Sequence, residues 1–257
     1  MTTESTVYKL RVLSLNDVIS KLGMSHSAAA SALLRWQEQG VIKMVRKNMY
    51  LVIDPASGSP LADKYELTSH ITTSSYVGWH TALEFHGVAH QPFYNSYVGS
   101  NSRFNDFTFD NIDYRYCASP LDTSEDCGII SPQWNPYVRV TDLERTLVDC
   151  CDKIGRAGGL EELLHCMEGI TFLSEKKLAK YLEKYNKTFL YQKIGFILEL
   201  SKVYHNVSPE FMEMCRTKGA VHTMRLNDIG SLVYVNRWKL YVPKDCITNN
   251  NDTYELI

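Results

Sequence analysis

The sequence predicts an α+β protein in two parts: a small N-terminal unit of short helices closed by a hairpin, and a larger C-terminal mixed α/β domain. Three observations predict it. Two glycine-stopped helical segments precede a pair of β-prone runs before residue 54. A stretch rich in proline, glycine and serine follows at 54–60. Beyond it, strand-prone runs dominate up to about residue 140, and apolar stripes at helical spacing dominate afterwards. A chain of 257 residues, 44% hydrophobic and 22% charged, can build two cores of this kind.

The first helix is expected over Asp17–Leu22. Ser14-Leu15-Asn16-Asp17 is a capping-box start, in which Ser14 accepts from an orphan backbone N–H, and Gly23 tolerates the left-handed residue that ends a helix. After a tight turn a second helix spans Ser25–Gln39, stopped by Gly40. This pair is a helix-turn-helix in outline. On a helical wheel Ala29, Ala30, Leu33 and Trp36 share the face expected to pack inward, whereas Ser27, Ala28, Ser31 and Arg35 share the other. Small side chains permit close approach to a major groove, and Arg35 can fork onto a guanine or clamp a phosphate. A surface helix usually carries more charge, and Ala28–Leu34 carries none.

Val41–Val45 and Met49–Ile53 then read as a hairpin across Arg46-Lys47-Asn48, with Asn48 suited to a left-handed turn position. Helix, turn, helix and basic hairpin in this order define a winged helix-turn-helix over residues 1–56. The expected contacts to double-stranded DNA are Ser25, Ser27, Ala28, Ser31, Arg35, Lys43, Arg46, Lys47 and Asn48. Of these, Arg46 and Lys47 at the hairpin tip would reach phosphate or the minor groove. Asp54–Pro60 reads as a boundary or partly extended linker that few contacts cross.

The remainder, 57–257, is expected to begin with one capped helix over Ser75–Gly87. Strands follow at Tyr94–Gly99, Phe107–Phe109, Ile112–Cys117 and Tyr137–Val140. Three helical stripes come next: Leu143, Leu147, Cys151 and Ile154; Leu178, Tyr181, Leu182 and Tyr185; Ile194, Ile197 and Leu198. Leu232–Val235 and Trp238–Val242 read as a final hairpin across Asn236-Arg237.

Charge and composition narrow the function classes. Residues 1–54 carry seven Lys/Arg against four Asp/Glu, whereas residues 55–151 carry five against twelve. A slightly basic head on an acidic middle suits a small DNA-binding module joined to something else. Residues 1–10 are polar with no apolar h-region, and runs such as Ile194–Leu198 are too short to cross a bilayer. The expectation is a cytoplasmic protein without a membrane partner.

Seven scattered cysteines with no C-x-x-C pair are neither a disulfide framework nor a zinc ribbon, and Cys150-Cys151 read as small buried hydrophobes. His80, His86 and His90 resemble metal ligands most closely. Gly87 ends the helix between the last two, and no cysteine or acidic partner stands at zinc spacing, so packing and capping are expected instead of a metal. Arg145 and Asp149 at i,i+4 are expected to pair within a helix. No phosphate loop, nucleophile elbow or H-E-x-x-H occurs, so the chain reads as non-enzymatic and without a cofactor. Lys176, Lys180, Lys184 and Lys187 form one stripe, either a solvated helix face or a second nucleic-acid contact.

The residues also carry a family resemblance. The basic hairpin R-K-N-M-Y-L-V at 46–52 is followed by S-Y-V-G-W-H-T-A-L-E-F-H-G-V at 75–88 and V-T-D-L-E-R-T-L-V-D at 140–149. In order and spacing this resembles the AbiEi family of antitoxins of abortive-infection toxin–antitoxin systems. Asp142-Leu143 stand where that family usually has Ser-Pro, and Asp can still cap the helix. The resemblance spans about residues 14–200. It implies a protein that represses its own operon by binding inverted repeats, as a dimer on DNA, and counteracts a co-encoded nucleotidyltransferase-like toxin with or without a stable complex. The alternative from the residues alone is a ligand-sensing winged-helix transcription factor with no toxin partner.

Overall fold

A computed structural model describes residues 3–201, 207–219, 222–226 and 231–248. The N-terminal part runs α1 (Thr3–Leu10), β1 (Val12–Leu13), α2 (Leu15–Leu22), α3 (His26–Glu38), β2 (Ile42–Arg46) and β3 (Met49–Val52). The expected capping box starts α2: the Ser14 hydroxyl accepts from Asp17 N–H at 3.2 Å, and the Asp17 carboxylate accepts from Ser14 N–H at 2.9 Å. Gly23, at φ 66°, ends it in the left-handed region. Ser25 caps α3 by accepting from Ala28 N–H. Helix α1 lies in a stretch that had offered only polarity, and it is anchored by Val7, which is buried with Leu13, Val18, Leu33 and Trp36.

The strands form an antiparallel sheet in the order β1-β3-β2. Asn48 takes the left-handed position expected of it, at φ 62°. Its side-chain oxygen accepts from Leu15 N–H at 2.8 Å, which ties the hairpin turn to the start of α2.

The second part is a mixed sheet covered by helices. Its strands are β4 (Tyr76–Val77), β5 (Asn95–Ser100), β6 (Phe107–Phe109), β7 (Ile112–Ala118), β8 (Ile129–Ile130) and β9 (Val140–Thr141). They lie in the order β6-β7-β5-β4-β9-β8, with β5/β7 and β4/β9 parallel. Helix α4 (Lys64–His70) precedes them, α5 (Trp79–Phe85) stands between β4 and β5, and α6 (Leu143–Asp152), α7 (Leu160–Glu168), α8 (Glu175–Tyr185), α9 (Thr188–Leu200) and α10 (Pro209–Gly219) follow. The three predicted stripes are buried on α6, α8 and α9, where Leu147, Leu178, Leu182, Ile194 and Leu198 share one core. Cys150 and Cys151 are buried there as read.

Strands β10 (Met224–Arg225), β11 (Leu232–Val235) and β12 (Leu240–Pro243) make a small third sheet, and α11 (Asp245–Thr248) follows it. The terminal hairpin forms, pairing Val235 with Leu240, but Trp238 belongs to its 3-10 connection and is buried against α9.

Two expectations are corrected. Ser75–Gly87 is not one helix. Tyr76 and Val77 are pulled into the middle of the large sheet by β5 on one side and β9 on the other, and the helix begins only after Gly78. Pairing on both edges outweighs local helical periodicity. The Tyr76 ring lies so close over Gly99 that an added Cβ there would stand 2.1 Å from the ring.

Residues 54–60 are also not an extended linker. Asp54 accepts from Ala56 N–H at 3.1 Å and from the Ser57 hydroxyl at 2.8 Å, closing a tight turn of the kind aspartate favours. The turn folds the two parts together. Val12, Met49 and Leu51 are buried in one cluster with Leu67, Ile71, Val98 and Tyr114, and Arg11 pairs with the buried Glu66 at 2.6 Å. Many contacts cross where few were expected, because a small β-sheet with an apolar face must cover it.

Candidate nucleic-acid interface and the adjoining cleft

Helix α3 divides its two faces much as the wheel suggested. Ala29, Ala32, Leu33 and Trp36 are buried; Ala30 is only partly so, and Ala32 takes its place inside. Ser25, Ser27, Ala28, Ser31 and Arg35 are all exposed, with Ser25 and Ser27 hydroxyls 3.3 Å apart. Leu34 stands beside them, 65% exposed. The outer face of α3 is therefore built of short side chains, with its charges, Arg35 and Glu38, near its end.

The hairpin is different. Lys43 lies 3.6 Å from Asp110 and over the Phe109 ring. Arg46 donates to the Ile71 carbonyl at 3.1 Å and rests its guanidinium over Phe104 and Phe107, at 5.5 and 5.1 Å. Asn48 is occupied in capping α2, whereas Lys47 is exposed. The two cations expected at the tip are thus in different states, Arg46 held by partners and Lys47 exposed. The register shift between Met44 and Arg46 changes the side-chain alternation, and two aromatic faces and a carbonyl hold Arg46 against the second part.

The expected lysine stripe is broken at Asn186, whose left-handed conformation ends α8 before Lys187, and its members are also engaged. Lys180 bonds Asp126 at 2.6 Å, Lys184 bonds the other oxygen of the same carboxylate, and Lys187 reaches Asp152 at 2.8 Å. Hydrogen bonds from both lysines hold the Asp126 carboxyl down at about 2. Lys176 is exposed.

Elsewhere the titratable residues tie elements together. Arg145 and Asp149 pair along α6 at 2.6 Å as expected, but fully buried. Arg145 also donates to the Cys127 carbonyl, and Tyr185 of α8 donates to Asp149. Burial opposes the charge on Arg145, and Asp149 beside it outweighs that and raises its pKa. His80 bonds the buried Glu162 at 3.1 Å and stacks on Phe93; His86 donates to the Thr141 carbonyl at 2.7 Å; His90 stacks on His165. Each histidine thus joins a helix to a neighbouring element. Among the described residues no group of three or more His, Cys, Asp or Glu could hold a metal, and no described helix is long and apolar enough to cross a membrane.

Between the two parts lies a cleft of about 660 Å³ that no sequence motif signals. The start of α2 and the β2–β3 turn form one wall; the end of α4, residues 72–73, Pro136, Tyr137 and Arg139 form the other. Its residues come from segments far apart in the chain, so no local pattern could have assembled them.

No protein-family model matches the chain, and no curated protein does. Among solved structures it is similar to the crystal structure of RV2827C protein from Mycobacterium tuberculosis, at 14% identity and a TM-score of 0.66, over 98% of this chain and 96% of that one. A likeness at that identity is one of fold.

Proposed function

We propose that the N-terminal part is a winged helix-turn-helix that binds double-stranded DNA through α3, and that the chain is the autoregulating antitoxin of a toxin–antitoxin pair. The observation that carries the DNA reading is the outer face of α3: Ser27, Ala28, Ser31 and Arg35 are exposed together while the opposite face is buried. A helix that enters a major groove needs short side chains for close approach and a few donors for base edges. The sheet order β1-β3-β2, with the hairpin directly after α3, supports the winged-helix assignment.

Lys47 is the hairpin cation best disposed to meet phosphate, and Lys43 and Arg46 chiefly hold the hairpin to the second part. The stripe of Lys180, Lys184 and Lys187 is not a second nucleic-acid contact on this reading, because carboxylates already neutralise it. The antitoxin role rests on the sequence blocks at 46–52, 75–88 and 140–149, and the larger part would house it without enzymatic chemistry. Co-expression tests that role: the full chain should restore growth to cells making a nucleotidyltransferase-like toxin encoded beside it, and the Arg35→Ala variant should do so equally well. Failure of the soluble full chain to restore growth would leave a DNA-binding regulator without a toxin partner.

A further inference from the structure

We infer that the cleft between the two parts is a binding site for a nucleoside phosphate, with Arg46, Lys47 and Arg139 taking the phosphate and Tyr137 the base. This goes beyond the DNA-binding reading and does not depend on it.

Arg139 donates to the carbonyls of Thr73 and Ser75 at 3.1 and 3.2 Å and to that of Thr123 at 2.8 Å. Arg46 is fixed by the Ile71 carbonyl and two aromatic rings. Both arginines line the cleft, and neither guanidinium meets a carboxylate among the described residues. Arg11, by contrast, pairs with Glu66. Partial burial lowers the pKa of Arg46 and of Arg139, the mark of cations desolvated without a counterion. An anion entering the cleft would supply it.

The arginines are already held in place, so little side-chain freedom is lost on binding. Lys47 adds an exposed point charge, and His70, whose Nδ1–H donates to the Glu66 carbonyl, adds a ring at the rim. Asp17, the carboxylate on the wall among the described residues, is already engaged by Ser14 and Lys21. Guanidinium and ammonium groups together suit phosphate. The volume suits a ligand of nucleotide size, and Tyr137, 42% exposed, offers a ring on which a base can stack.

Calorimetric titration of the full chain with inorganic pyrophosphate and with adenosine triphosphate tests the site. Both should bind, the nucleotide more tightly, and Lys47→Ala should weaken both by about tenfold or more with no loss of folding, since that side chain is exposed. Arg139→Lys keeps the charge but loses the fork, and should weaken both as well. Lys153→Ala, an exposed cation on another element, should change nothing. Absence of binding by either probe overturns the inference, as does equal weakening by Lys47→Ala and Lys153→Ala. A Lys47→Ala variant that binds scrambled duplex DNA less tightly while neither probe binds the wild type would assign the cleft to the DNA backbone and overturn it too.

Discussion

Helices α3 and α8 both turn toward solvent a face that the sequence offers to nucleic acid, and the folded chain treats them oppositely. The face of α8 carries Lys176, Lys180 and Lys184 with Lys187 just beyond its end, and Lys180, Lys184 and Lys187 are spoken for by Asp126 and Asp152. The face of α3 has short side chains with Arg35 and Glu38 near its end, yet among the described residues it stays exposed. Charge counted along a sequence is not charge available to a ligand, because a carboxylate more than fifty residues away can neutralise it, as Asp126 does for Lys180. Shape and exposure decide the matter instead. The hairpin repeats the lesson at closer range, where Arg46 is diverted to Phe104 and Phe107 while its neighbour Lys47 remains exposed.

The strongest way to break this contrast is to separate the two helices altogether. A fragment of residues 1–56 would expose Val12, Met49 and Leu51, which are buried against the second part. Each such side chain contributes about 1.5–3 kcal/mol when buried, so a unit this small should be largely unfolded by circular dichroism and should lose duplex binding. A folded fragment that binds like the full chain would show that the joint core is dispensable.

Within the full chain, Ser31→Glu sets a negative charge on the α3 face. It should abolish duplex binding while leaving the melting temperature nearly unchanged, since exposed substitutions usually shift stability by no more than about 0.5 kcal/mol. Arg35→Ala should cost about 1–3 kcal/mol of operator affinity and relax base preference, measured by titration on operator and scrambled duplexes.

The smallest expected effect sharpens the other side of the comparison. Asp126→Asn removes the partner of Lys180 and Lys184, so weak, sequence-independent duplex binding should increase and grow steeper in its salt dependence, by roughly 0.9 in log–log slope for each phosphate newly contacted. If Asp126→Asn leaves the slope unchanged, the pairing is not what silences α8.

Much of this was legible locally. The capping box at Ser14 and Asp17, the stop at Gly23, the left-handed turn at Asn48 and the stripes of α6, α8 and α9 all follow from neighbours within a few residues. The exposed side of α3 followed from its periodicity. Features set by distant partners were not legible. Tyr76 and Val77 look helical until β5 and β9 pair with them, and Asp54–Pro60 looks loose until Asp54 closes its turn. The cleft draws on α2, the hairpin, α4 and Arg139 at once, and no window of sequence contains all four.

The central claim is that α3 reads DNA by its exposed face. Fluorescence anisotropy with a labelled duplex from the region upstream of this reading frame, beside a scrambled duplex of equal length, tests it most directly. Wild-type protein should prefer the upstream duplex. Arg35→Ala should reduce that preference, and Ser31→Glu should bind neither duplex. Equal binding of both duplexes by the wild type, or full binding by a folded Ser31→Glu variant, would contradict the account.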